Sequence, residues 1–375
     1  MADDKQTQKA GDNSQQFQAN TIILNQGIDE KRAREIYIES FEIAKRDLTQ
    51  EAIACATERV QQLEECFMSR IKPIEGAINS FSDPAFQVLL TNAQRTAVAT
   101  ERENDYGMLA ELLVCHIEKG NKRKTRAGIS KAVEIIDKID DDALCALTVL
   151  HAIEQFRPIA PTSKQGLNTL SSIFDKIIYM PLPTDNSWIE HLEILDTIRI
   201  NSMGHFLSLE EFYSKVLEGY TLAGIRKDSD KYKQATDLLL SINLTLSLLV
   251  NNDYLPNYVK LPIISKSQIT DLKIVRNDTV AGKVLKIEKE ITDDEKKVLE
   301  SIFDLYDKDT NINKQSLDAF MNEYHKHDSL SRIAEWWEEL KKLSFSFDLT
   351  HVGIVLAHTN ARRCDKTLPD LPLNL

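Results

Sequence analysis

Glycine and proline are scarce in this 375-residue chain, at 12 and 10 residues. A fold of many short strands needs turns rich in those two residues, so their scarcity points to long helices instead. Long apolar runs are missing too. The longest, 238–250, is interrupted by Ser241, Asn243, Thr245 and Ser247, which makes it a buried helix and too polar to span a bilayer. The five cysteines (Cys55, Cys66, Cys115, Cys145, Cys364) stand singly with no C-x-x-C pair. Metal-site spacing is therefore absent, and a disulfide framework is not expected in a chain able to build a large core. The opening Met1-Ala2-Asp3-Asp4-Lys5-Gln6 lacks the apolar stretch of a secretory signal, so the expected location is the cytoplasm. Positive charge is also short: the formal net charge is −12, which disfavours a nucleic-acid partner and offers nothing to an anionic membrane surface. There is no G-x-S-x-G, no H-E-x-x-H and no clustered-glycine phosphate loop. No catalytic residue, metal ligand or cofactor is assigned on this basis.

What the chain does contain is 42% hydrophobic and 28% charged residues, ordinary values for a globular protein, over a length that suits two or three domains. Its most informative segment runs from Gly11 to Gly27. Gln16, Gln18, Asn20, Ile22 and Leu24 alternate with Phe17, Ala19, Thr21, Ile23 and Asn25, so both faces are half apolar and half amide. That is not the pattern of a strand covering a core. A lone strand of about nine residues leaves both edges open, and amide side chains form ladders when equivalent residues stack. The expectation is an intersubunit β element built from Gln16, Phe17, Gln18, Asn20, Ile22, Ile23, Leu24 and Asn25, making the protein a homo-oligomer whose first helix, 29–73, also packs the subunits together. The alternative is a disordered tail.

Asp29 is placed to cap a helix, and from Ile53 to Ile74 apolar residues recur at steps of three and four. Either one helix spans 29–72, or two shorter ones break near Thr49. Asp83-Pro84 signals a second helical block over about 83–156, divided by connectors at 118–125 and 138–142. Pro158 and Pro161 mark a boundary. Beyond it, helices are expected near 163–178, 187–199, 209–217 and 229–250, then a polar linker or extended segment at 276–291. The last part reads as helices over 293–306, 315–325, 330–343 and 350–363, with a β-like Ser344-Phe345-Ser346-Phe347-Asp348 that gives it the outline of a winged-helix module. The expected fold is mainly α: a polar tail and short β segment (1–27), an N-terminal helical domain (28–157), a middle helical domain (158–291) and a small C-terminal module (292–375).

Three constellations invite chemistry. Asp307, Asp309 and Asn311 imitate the start of a calcium loop, with Asp318 at position 12; but Ile312 stands where a glycine is needed and Asp318 is a methylene short of the usual Glu. An acidic interhelical loop is the better reading. His325 and His327 point to different helical faces, and His351 and His358 are two turns apart, so neither pair holds one ion by itself. In the segment 349–363, Thr350 is a cap, and Asn360, Arg362 and Arg363 are candidate contacts for an acidic partner or phosphate.

Gly11-Asp12-Asn13-Ser14 with its Ile-containing strand, Asp83-Pro84-Ala85-Phe86-Gln87 with Ala93-Gln94, Leu109 to Val114, and Leu349-Thr350-His351-Val352-Gly353-Ile354-Val355-Leu356-Ala357-His358-Thr359-Asn360-Ala361-Arg362 recur in the same order elsewhere. Together they resemble a family of uncharacterised bacterial proteins named after locus tags from Legionella and Veillonella. The resemblance runs in patches from end to end and brings no catalytic residues with it. By association it suggests phage defence or stress response. The leading expectation is a non-enzymatic, self-associating scaffold or sensor with a protein partner. One rival is a metal-dependent hydrolase or nuclease using His325, His327, Asp328 and His358. Another is a DNA-binding regulator using the C-terminal module, with Lys341-Lys342 and Arg362-Arg363 as its basic residues.

Overall fold

Capping chemistry at its two start signals sets the N-terminal half. The computed structural model describes residues 28–46, 49–280 and 283–371; the strand expected over 16–25 lies outside the described residues. Asp29 accepts a hydrogen bond from the Arg32 amide at 2.7 Å and opens α1 (Glu30–Ala44). The chain leaves helical geometry before Thr49, and α2 (Gln50–Ile71) starts afresh, so the shorter-helix alternative holds. Packing explains the break. Tyr37 on α1 donates to the Val60 carbonyl on α2 at 2.9 Å, a contact that one straight rod cannot make with itself. Asp83 caps α3 (Pro84–Ala99) with proline in its first turn. Phe67, Phe81 and Phe86 meet edge-on or tilted beneath it.

The periodicity seemed to continue past Ala99, but the chain turns there. Arg102 donates to the Ile139 carbonyl at 2.7 Å and pairs with Asp105 at 3.0 Å and Asp141 at 2.9 Å. That staple orders the turn between α3 and α4 (Glu103–Lys119). Next come α5 (Arg123–Ile135) and α6 (Asp141–Gln155), whose residues from Ala143 to Ile153 are all buried. A helix apolar all round sits at the centre of its bundle.

In the middle region come α7 (Ser163–Ile177), α8 (Ser187–Ile194), β1 (Ile198–Asn201), α9 (Leu209–Val216), α10 (Glu218–Thr221), β2 (Ile225–Arg226) and α11 (Asp230–Ser241). Two expected helices stop early. Asp196 (φ 58°) ends α8 and turns the chain into β1; Asn243 (φ 56°) lies just past α11. Short polar side chains tolerate the left-handed region, which is how both stops are made without glycine. Beyond α11, β3 (Val250–Asn251) and β4 (Tyr258–Lys260) form a small sheet in the order β2–β4–β3. The segment read as a linker or extended piece is a hairpin of β5 (Lys273–Val280) and β6 (Lys283–Glu290), with register from Lys273↔Glu290 to Val280↔Lys283.

A capping box of Thr292 and Glu295 begins α12 (Asp293–Asp304). After it come α13 (Thr310–Tyr324), α14 (Asp328–Lys341), β7 (Ser346–Leu349) and α15 (His351–Cys364). The strand that suggested a wing has its partner far away: β7 pairs antiparallel with β1, Ile198↔Leu349 through Asn201↔Ser346. Winged-helix wings pair within their own module, so the outline does not hold here.

Two apolar clusters result. The larger takes side chains from α1–α9 and again from α13–α15; the smaller takes them from the β2–β4 region, α11 and α12. They cross the boundary expected at 291/292. The last helix lies across α4, α5 and α6, deep in the N-terminal part of the molecule.

Candidate functional site

The face of α15 is built from the segment that stood out in sequence. Thr350 caps the helix by accepting from the Gly353 amide at 3.1 Å, and its hydroxyl donates to the Asp196 carbonyl at 2.6 Å. Gly353 touches the backbone of Thr197, where a Cβ would overlap the Thr197 carbonyl oxygen. That glycine is therefore a contact requirement: it lets α15 start hard against the α8–β1 turn.

Along its length α15 carries buried polar groups. His358 Nδ1 lies 3.1 Å from His151 Nε2, and His358 Nε2 lies 3.0 Å from the Pro369 carbonyl. A carbonyl only accepts, so His358 carries its proton on Nε2 and presents a bare Nδ1; His151 Nε2–H must then be the donor. This leaves His151 Nδ1 as an acceptor with no partner among the described residues. Burial, and for His151 also the neighbouring ring, holds the pair neutral: His151 is pushed down to about 3 and His358 to about 4.

Two residues on, Asn360 is fully buried. Its amide donates to Thr148 Oγ1 at 2.8 Å and to the Tyr179 hydroxyl at 3.3 Å, while its Oδ1 accepts from Arg363 Nε at 2.9 Å. Arg363 also lies over the Tyr179 ring, 5.0 Å from its centroid. Asn360 is thus spent inside the chain and cannot touch a partner. It holds Arg363 in place instead.

Arg362 and Arg363 line a cleft of about 300 Å³ between the end of α2, α4, α15 and the tail that follows it. Arg70, Arg362, Arg363 and Lys366 face Glu111, Glu118 and Asp370 there. Glu111 takes Arg362 Nε at 3.2 Å and Arg70 Nε at 3.7 Å, and Asp370 pairs with Nη1 of Arg362. Two cations are left over. The outer nitrogens of Arg363 and the Lys366 ammonium have no acceptor among the described residues. In a chain with net charge −12, a cleft with spare positive charge is a local reversal of sign.

The tail forms one wall. Lys176 pairs with Asp365 at 2.8 Å and holds its carboxyl below the usual range; Lys119 donates to the Leu371 carbonyl at 2.7 Å; Leu368 and Leu371 are buried. On its other side a larger cavity of about 620 Å³ is lined by Phe156, Ile159, Ile173, Ile264, Leu272 and Leu368. Of its polar neighbours, Arg157 donates to the carbonyls at the end of α6 and Gln268 accepts from the Ile264 amide, which leaves Gln155, Asp271 and Lys273. The cleft, with four cationic side chains against two in the larger cavity, is the richer in charged donors.

The other sequence candidates fall elsewhere. Asp309 caps α13 by accepting from Asn311 and Ile312, and Asn313 bridges the Ala223 amide and the Asp307 carbonyl, so the calcium-like loop is a docking turn. His325, His327 and Asp328 sit at the α13–α14 turn, apart from buried His358. Among the described residues, no three His, Cys, Asp or Glu side chains converge as a metal site would require. Lys341 and Lys342 face Glu338 and Glu339. The eight residues of the expected intersubunit strand lie outside the described residues. No helix among the described residues is long and apolar enough to cross a membrane. Sequence reasoning found Arg362 and Arg363 but missed Arg70, Lys366 and Asp370 in the cleft, and His151 beneath it. No local pattern in the sequence points to His151, which stands in the apolar run of α6.

The fold and site define a mainly helical protein with a cationic cleft where its last helix meets the first domain. A family model named after a Veillonella locus tag matches residues 27–373, and the chain belongs to that family. The match takes in every described helix and the tail beside the cleft. No curated protein and no solved structure matches the chain.

Proposed function

We propose that this protein is a non-enzymatic, self-associating recognition scaffold that engages an anionic group at the cleft of Arg70, Arg362, Arg363 and Lys366. One observation carries the binding half of the reading. Arg363 is held by Asn360 and Tyr179, yet among the described residues neither its outer nitrogens nor the Lys366 ammonium beside it have an acceptor. Ordering a charged side chain without pairing it is unfavourable unless something else completes the pair. The self-associating half rests on the amide-rich alternation of residues 16–25. A role in bacterial defence or stress response suits such a scaffold, as does a cytoplasmic setting.

Two measurements test the reading. Thermal stabilisation by small inorganic and organic anions is expected for the parent protein and is expected to disappear in Arg363→Glu/Lys366→Glu. A parent indifferent to every anion removes the binding half. Light scattering is expected to give a multiple of the 42.7 kDa chain mass for the full protein and a smaller assembly for residues 28–375. A monomeric mass for both removes the other half.

A further inference from the structure

We infer that the cleft's ligand is a small phosphate-bearing molecule, and that it enters by displacing Asp370 from Arg362. This rests on the cleft being an anion site. It then asks which anion can win against what is already there. Asp370 sits exposed on the tail with its carboxylate on Nη1 of Arg362, in the position an incoming acid would take. The cleft is therefore closed at one guanidinium by a carboxylate from its own chain.

A carboxylate group gains nothing by exchange, whether it comes alone or as half of a dicarboxylate: at Arg362 it trades one charge and two acceptor oxygens for the same. A phosphoryl group brings up to two negative charges and three acceptor oxygens, enough to take Arg362 from Asp370 and still reach Arg363 and Lys366. Arginine forks match phosphate geometry bidentately, and three line this cavity. Its volume of about 300 Å³ suits a small molecule, at the lower end of known ligand pockets.

Little energy holds the stand-in. An ion pair with one partner in solvent is screened and contributes little. The tail's firmer anchors lie elsewhere, in Leu368 and Leu371 and in the bonds from Lys119 and His358 to its carbonyls. The Asp370 side chain can therefore be released while those anchors stay in place.

The cleft supplies its own control. Glu118 lines the same cavity as Asp370 and has no cationic partner among the described residues. Removing either carboxylate relieves general repulsion of an anion, but only Asp370 competes for Arg362. Binding of inorganic pyrophosphate and of malonate to the full chain is measured by calorimetry for the parent, Asp370→Asn and Glu118→Gln. Expected are tighter binding of pyrophosphate than malonate by at least tenfold, and a gain in pyrophosphate affinity of roughly three- to tenfold in Asp370→Asn that clearly exceeds the gain in Glu118→Gln. Equal gains in the two variants, or none in Asp370→Asn, overturn displacement while the cleft remains an anion site. Malonate binding as tightly as pyrophosphate overturns the phosphate assignment alone. Binding of neither anion by any of the three proteins overturns this inference together with the reading beneath it.

Discussion

The neutral histidine pair makes acid sensitivity a calculable property of this fold. In an unfolded chain His151 and His358 titrate near 6.5; in the folded protein they are held at about 3 and about 4. The folded state therefore binds fewer protons than the unfolded state between these limits, and stability falls as pH falls through that window. It is fully present above the unfolded value and is lost progressively down to the folded values. Going from pH 7 to pH 5 costs about 2 kcal/mol for each ring by this linkage. The two titrate as a coupled pair, so the sum is what is measured. Other buried groups contribute: His116, pushed down by burial, has the same sign, whereas Asp105 and Glu154, pushed up by burial, have the opposite. The pair is isolated by comparing parent and His151→Leu in urea unfolding at pH 7, 6 and 5, followed through the fluorescence of Trp188, Trp336 and Trp337. The variant starts from a different stability, but its loss between pH 7 and 5 is expected to be smaller by about 2 kcal/mol. The same pH slope in both proteins refutes the assignment of a buried neutral pair.

Three further outcomes follow from α15. Gly353→Ala drives a methyl into the Thr197 carbonyl and is expected to destabilise by about 1–3 kcal/mol in denaturant titration, against a slight gain were this glycine merely exposed. Thr350→Ala removes both the cap and the bond to Asp196 and is expected to lower stability by about 1 kcal/mol. Asn360→Leu removes the donor to Thr148 Oγ1, which keeps only its bond to the Leu144 carbonyl, and releases Arg363; a loss of about 1–3 kcal/mol is expected, with weakened pyrophosphate binding as the readout that a packing defect elsewhere would not produce.

Most helices were legible because their signals are local. Asp29, Asp83-Pro84 and Thr350 each place a cap next to the groups it satisfies, and the apolar steps of α2 and α3 name their buried faces directly. What escaped was non-local or made from unexpected residues. Asp196 and Asn243 end helices in a left-handed conformation usually given to glycine, so the expected helices ran on too far. The β1–β7 pairing joins four-residue strands about 150 positions apart, too short for alternation to register. The cleft was half visible. Arg362 and Arg363 stand in a recognisable segment, but Arg70 is an ordinary last-turn arginine until α2 is folded against α4, and His151 is one more residue in an apolar helix until α15 arrives.

That arrival has a consequence for synthesis on the ribosome. The slot between α4, α5 and α6 is filled by the residues of α15, His351–Cys364, which are made long after α6 is complete at Gln155. Until they emerge from the exit tunnel, a nascent chain bearing the whole amino-terminal bundle displays an open greasy trench. A stop codon anywhere between the end of α6 and the start of α15 should therefore yield products that chaperones retain and proteases clear.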